Sequence, residues 1–280
     1  MQSNSERFPP SSDTDIIFVS SDGIRYGIHS KNLEAITGGF PPVQSGGLSV
    51  SEPVPLVEPS SVLDLLFPFI YPERQPEIED MSFKAVIELA EAAEKYQVYS
   101  AMLACRMCLR YGGDFVKSHP VEIALFAAKH DYPELLKLTA PYAVVLPLST
   151  VVPLLPERLV LPWIKYQDIW VDAYRNVPKL IAAHSHARPS TYHLSSDAIY
   201  LTSTDASGRC EDWQRVQHQI LNLYSDIGPS GLNEAKEWFG KVDTSGVPGC
   251  CYEAVTDLIN DVKGLVGSLT PFSSFIQENY

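Results

Sequence analysis

Residues 15–40, DIIFVSSDGIRYGIHSKNLEAITGGF, constrain this chain more than any other stretch. Two short β-prone segments, Ile16 to Val19 and Ile24 to Ile28, flank Ser21-Asp22-Gly23. A polar, glycine-containing break between two such runs predicts a hairpin. In the second run Ile24, Tyr26 and Ile28 alternate with Arg25, Gly27 and His29, so one face is built for a core. The chain then turns at His29-Ser30 into a helical stretch, with Ser30 as the expected N-cap and Leu33 and Ile36 on one face. This is a folding unit and carries no recognisable chemistry.

The chain has 280 residues, enough for one large or two modest domains, and 45% are apolar. A net charge of −13 without a basic run argues against unaided binding to nucleic acid or an anionic membrane. Pro and charge break every apolar run before the roughly 20 residues a membrane helix needs. Residues 1–12 are polar and lack the apolar stretch of a secretory signal, so a disordered lead-in is expected. An odd number of cysteines, five, at sparse spacing points to reduced thiols in an intracellular compartment, cytoplasm or nucleus.

Beyond Phe40 a Pro-, Gly- and Ser-rich loop leads to a short strand near Val54 to Val57. Val62, Leu65, Leu66, Phe69 and Ile70 make one helical stripe, in which Pro68 should kink or shorten the helix. A helix over 81–97 buries Val86, Leu89, Ala90, Ala93 and Tyr96. The next, capped by Ser100, turns Met102, Cys105 and Leu109 inward and stops at Gly112-Gly113. Helices are then expected near 118–129, from Pro133, over 164–177, 212–224, 232–239 and 250–269, with short helical turns over 146–162. The segment 181–210 has the least periodicity.

Asp15, His29, Leu33 and Phe40, then Leu65, Leu66 and Tyr71, then Leu89, Ala90 and Tyr96, follow one another at spacings that resemble a BTB/POZ domain over about residues 13–115. The chain looks most like fungal BTB chains that continue into a helical region, and residues 116–280 begin with a helix pair similar to the BACK extension of substrate adaptors. The resemblance implies self-association and partner binding. It also implies a hydrophobic-x-Glu contact with the cullin of a ubiquitin ligase, carried here by Val50 and Glu52. Ser30 stands after His29, where many transcriptional members carry Lys or Arg.

No nucleophile elbow, phosphate loop or dinucleotide fingerprint is present. His29 reads as the hydrogen-bonding residue of the strand-to-helix corner rather than a base, since no motif ties a nucleophile or carboxylate to it. Cys105 and Cys108 have redox spacing but sit inside an expected helix, which favours core packing. His184, His186, His193, Cys210, Cys250 and Cys251 are natural zinc donors, yet their spacing matches no known tetrahedral pattern. Solvated histidines and small buried thiols are expected instead, with no metal and no cofactor.

The sequence therefore predicts an α+β fold: a BTB-like domain over 13–115 and a helical domain over 116–280. The expected role is protein binding without catalysis, as an adaptor between a cullin and an unknown client. The alternative is a homodimerising scaffold, transcription-associated or otherwise.

Overall fold

The hairpin is present in the computed structural model of the chain, which describes residues 3–40, 53–184, 210–247 and 249–277. Strands β1 (Ser3–Asn4), β2 (Ile16–Val19), β3 (Ile24–Ile28) and β4 (Val54–Pro55) form one sheet in the order β1-β3-β2-β4. The central pair is antiparallel, with Phe18 opposite Tyr26, and the two outer strands run parallel to their neighbours. Helices follow, so the fold is mixed α+β with its sheet near the N-terminus. The chain divides into two compact units, residues 1–135 and 136–280.

In the first unit α1 (Ser30–Ile36) follows the hairpin, and α2 (Ser60–Leu66) follows β4. Pro68 ends α2 as an α-helix, and the chain continues as a 3-10 turn over Phe67–Ile70. The Phe67 ring is the hub of the core. It lies 5.1 Å from the ring of Tyr26, 6.0 Å from those of Phe8 and Phe18, and 6.5 Å from that of Phe40. Helices α3 (Phe83–Tyr96) and α4 (Tyr99–Tyr111) then pair, followed by α5 (Phe115–Ser118) and α6 (Pro120–Lys129). Ser82 caps α3, its hydroxyl accepting from the Ala85 amide. Ser100 caps nothing: Val98 holds the N-cap position of α4, and the Ser100 hydroxyl donates to the Phe69 carbonyl at 3.2 Å.

Two sequence-based boundaries shift. The lead-in expected to be disordered is pinned along β3 over residues 3–10. The Ser5 amide donates to the Arg25 carbonyl at 2.8 Å, and the Gly27 amide to that of Phe8 at 2.9 Å. Phe8 is buried against Phe67 and Tyr71. Gly27 permits the approach, because a Cβ there would lie 2.6 Å from the Cα of Pro10. The helices after residue 115 also begin within the first unit, where Phe83 stacks on His119 with ring centroids 3.8 Å apart.

The division between the units falls within α7 (Pro133–Ala143). The second unit continues with α8 (Leu148–Val151), a 3-10 turn over Val152–Leu154, and α9 (Glu157–Ala183). At 27 residues α9 is far longer than the stretch 164–177 expected, and it runs through Pro162 and Pro178. An interior proline costs about 3 kcal/mol. The helix persists because Leu159, Trp163, Tyr166, Trp170, Ala173, Val177 and Ile181 form one buried stripe. Each large side chain in such a stripe contributes about 1.5–3 kcal/mol. Around it lie α10 (Glu211–Ser225), a 3-10 turn over Pro229–Glu234, α11 (Ala235–Phe239), α12 (Gly249–Gly267) and α13 (Phe272–Gln277). Phe272 packs edge-on against Trp163, and the rings of Tyr174 and Tyr224 stack at 4.5 Å. No helix among the described residues is long and apolar enough to cross a membrane.

Candidate functional site

The strand-to-helix corner gathers Asp15, His29, Ser30 and Tyr71. An α-helix leaves its first amides without intrahelical partners, and here a distant carboxylate supplies them. Asp15 Oδ1 accepts from the Ser30 amide at 2.7 Å, and Oδ2 accepts from the Ser30 hydroxyl. Ser30 is thus the first residue of α1 and the target of the cap, while His29 holds the N-cap position. Burial works to raise the Asp15 carboxyl, but the two Ser30 bonds outweigh it and hold it below the usual carboxylate range. His29 Nδ1 lies 2.9 Å from the Tyr71 hydroxyl, which also accepts from the His29 amide at 3.3 Å. The arrangement fixes a corner, with the Ser30 hydroxyl bonded to Asp15 and the Tyr71 hydroxyl to His29.

The other end of the hairpin repeats the device. Asp22 accepts from the Ser60 amide at 2.9 Å and from its hydroxyl at 2.5 Å, capping α2 across 38 residues. The hydroxyls of Ser20 and Ser60 hold the Asp22 carboxyl down to about 2. Two hairpin aspartates therefore position two helices.

Leu33 and Leu66 are buried in this core and Leu65 is half-buried. Phe40 stacks on Tyr96, with centroids 4.4 Å apart and planes 11° from parallel. The chain reaches that contact through Gly39, whose amide donates to the Tyr96 carbonyl at 3.0 Å. A Cβ at Gly39 would meet the Lys95 carbonyl oxygen at 2.6 Å, so the close approach requires glycine. Val50 and Glu52 lie outside the described residues.

A cleft of about 610 Å³ opens between the β4–α2 connection, α3 and the end of α6. Val57, Val62, Ile87 and Ala92 give it apolar walls, and Glu58, Glu88, Glu91 and Glu94 supply carboxylates. These carboxylates are already engaged. Lys95 donates to Glu58 at 2.7 Å, Lys129 to Glu91 at 2.6 Å, and His130 Nε2 lies 3.1 Å from Glu91. Burial raises Glu58 and Glu91, and their bonded partners more than reverse it, so both carboxyls sit below their ordinary value. Neutralised pairs of this kind hold α3 to its neighbours.

Helix α4 carries the strongest surface signal of the first unit. Ala101, Cys105, Cys108 and Leu109 are buried, and burial pushes the Cys105 thiol up to about 12. On the opposite side Tyr99, Leu103, Met107 and Tyr111 follow one another every four residues and are 58%, 52%, 48% and 65% exposed. Residues four apart lie on one helix face, so these four make a continuous apolar stripe. Of the residues expected inward, Cys105 and Leu109 are buried and Met102 is half-buried; the four-residue period on the other side is the sequence signal for this second face.

Of the histidines and cysteines weighed as metal donors, His186 and His193 lie outside the described residues. His184 is the C-cap of α9, and its carbonyl accepts from Trp213 Nε1 at 2.6 Å and from Gln217 at 2.9 Å. The three cysteines of the second unit converge: Cys210, Cys250 and Cys251 have all their sulfurs within 4.8 Å of one another.

No protein-family model matches the chain, and no curated protein matches it either.

Proposed function

We propose that the chain is a protein-interaction module. Its first unit is BTB/POZ-like and docks on the cullin of a ubiquitin ligase, and its helical second unit engages a client. One observation carries the interaction reading, the apolar stripe Tyr99, Leu103, Met107 and Tyr111 on α4. Large apolar side chains aligned on one exposed face are what a partner protein buries. Tyrosine and methionine are also enriched at interfaces. The ordered residues of the hairpin, the corner and the α2–α4 helices support the BTB-like part. The cullin contact rests on Val50 and Glu52 through the resemblance.

The test is calorimetric titration of the full chain with the N-terminal domain of a BTB-binding cullin. Micromolar binding that drops about tenfold or more, about 1.4 kcal/mol, in Glu52→Ala, with the melting temperature unchanged, supports the adaptor. Absence of binding by the parent chain overturns it. The same uncharged stripe also suits a second copy of the chain. Light scattering reads that alternative: a micromolar dimer that the double variant Leu103→Asp, Met107→Asp dissolves makes the protein a homodimerising scaffold.

A further inference from the structure

We propose that Cys210, Cys250 and Cys251 form a three-sulfur site for zinc, a soft divalent cation. The three residues come from two elements. Cys210 is the N-cap residue of α10, and Cys250 and Cys251 are the second and third residues of α12. Cys210 and Cys251 are buried, and Cys250 is half-buried. The sulfurs of Cys210 and Cys251 lie 3.6 Å apart, and all three fall within 4.8 Å. A disulfide needs about 2.05 Å. Tetrahedral zinc with bonds of about 2.3 Å holds its sulfurs about 3.8 Å apart. The observed separations match the second geometry to within small rotations of the side chains.

The electrostatics of the site favour the metal-bound form. Both helices begin at the cluster, and a helix N-terminus carries a partial positive charge that favours thiolate. Without a cation three sulfurs this close cannot all be ionised. A divalent ion removes the conflict: three protons leave, three Zn–S bonds form, and the group carries a single net negative charge. Among the described residues the cluster has three members, so the fourth position is left for water or an added ligand. Half-exposed Cys250 marks the side from which it arrives. The ion would clasp the start of α10 to the start of α12.

The experiment uses the full chain, reduced and stripped with a chelator, then titrated with zinc and separately with cobalt(II). One equivalent should bind, with proton release visible as buffer-dependent heat, with cobalt–thiolate charge-transfer absorption, and with a rise in melting temperature. Cys250→Ser should weaken binding by more than roughly 10–100-fold, the range that even outer-shell changes produce. This half-exposed residue is the one whose replacement least disturbs the core, and circular dichroism checks that the variant folds. The double variant Cys105→Ser, Cys108→Ser should bind as the parent does. A reduced parent chain that takes no metal, or a folded Cys250→Ser variant that binds as the parent does, overturns the site.

Discussion

The two units treat helix N-termini in opposite ways. In the first, α1 and α2 begin against carboxylates: Asp15 and Asp22 reach across the sequence to Ser30 and Ser60. In the second, α10 and α12 begin against thiols. A carboxylate is ionised at neutral pH and complements the helix dipole unconditionally. A buried thiol is protonated until a cation arrives, so its contribution depends on the surroundings. The same backbone feature thus gives a permanent joint in one region and a conditional one in the other.

The largest test of that contrast asks whether the carboxylates are joints or the main support. Phe67→Ala removes the ring at the centre of the first core and should cost about 3–5 kcal/mol, measured by urea denaturation followed through aromatic circular dichroism. A smaller loss than that from either aspartate would reverse the order assigned here. Asp22→Ala removes the cap of α2 and should cost about 1–2 kcal/mol in the same assay. A neutral result would reduce the Ser60 bonds to ornament. The smallest effect is in pH. Asp22 titrates near 3.8 when unfolded and about 2 when folded. A lowered carboxyl contributes above its unfolded value and loses that contribution as pH falls through its folded one. The stability gap between the parent and Asp22→Ala should therefore be constant above about pH 4 and narrow between about pH 4 and 2. For so exposed a group the charge-dependent part is about 1 kcal/mol or less.

Much of the first unit was legible because its signals are local. Ile24, Tyr26 and Ile28 alternate as a strand must, and Pro68 interrupts a helix where its ring forbids continuation. What escaped was long-range or carried by backbone. Ser3 and Asn4 form a strand without a side-chain pattern, and Phe8 is a single apolar residue in a polar run. The aspartate caps join positions far apart, although Asp at both ends of a hairpin and Ser at the start of each following helix are visible in retrospect. The stretch 164–177 expected to be helical ends short of Pro162 and Pro178, because the sequence does not show the tertiary burial of Trp163 and Trp170 that outweighs those prolines. The spacing of the cysteines hides their cluster, since adjacency in Cys250-Cys251 conceals that both residues lie in the first turn of a helix near Cys210.

Both outer strands of the sheet, β1 and β4, are two residues long. An edge strand recruits another chain by offering a row of unpaired amides and carbonyls, and a two-residue edge offers almost none. Among the described residues the sheet is thus a poor template for a fifth strand, whether from a partner or from a misfolded copy. The exposed apolar face of α4 is by contrast a side-chain surface, and recognition on such a face depends on side-chain identity, so a single substitution can retune it.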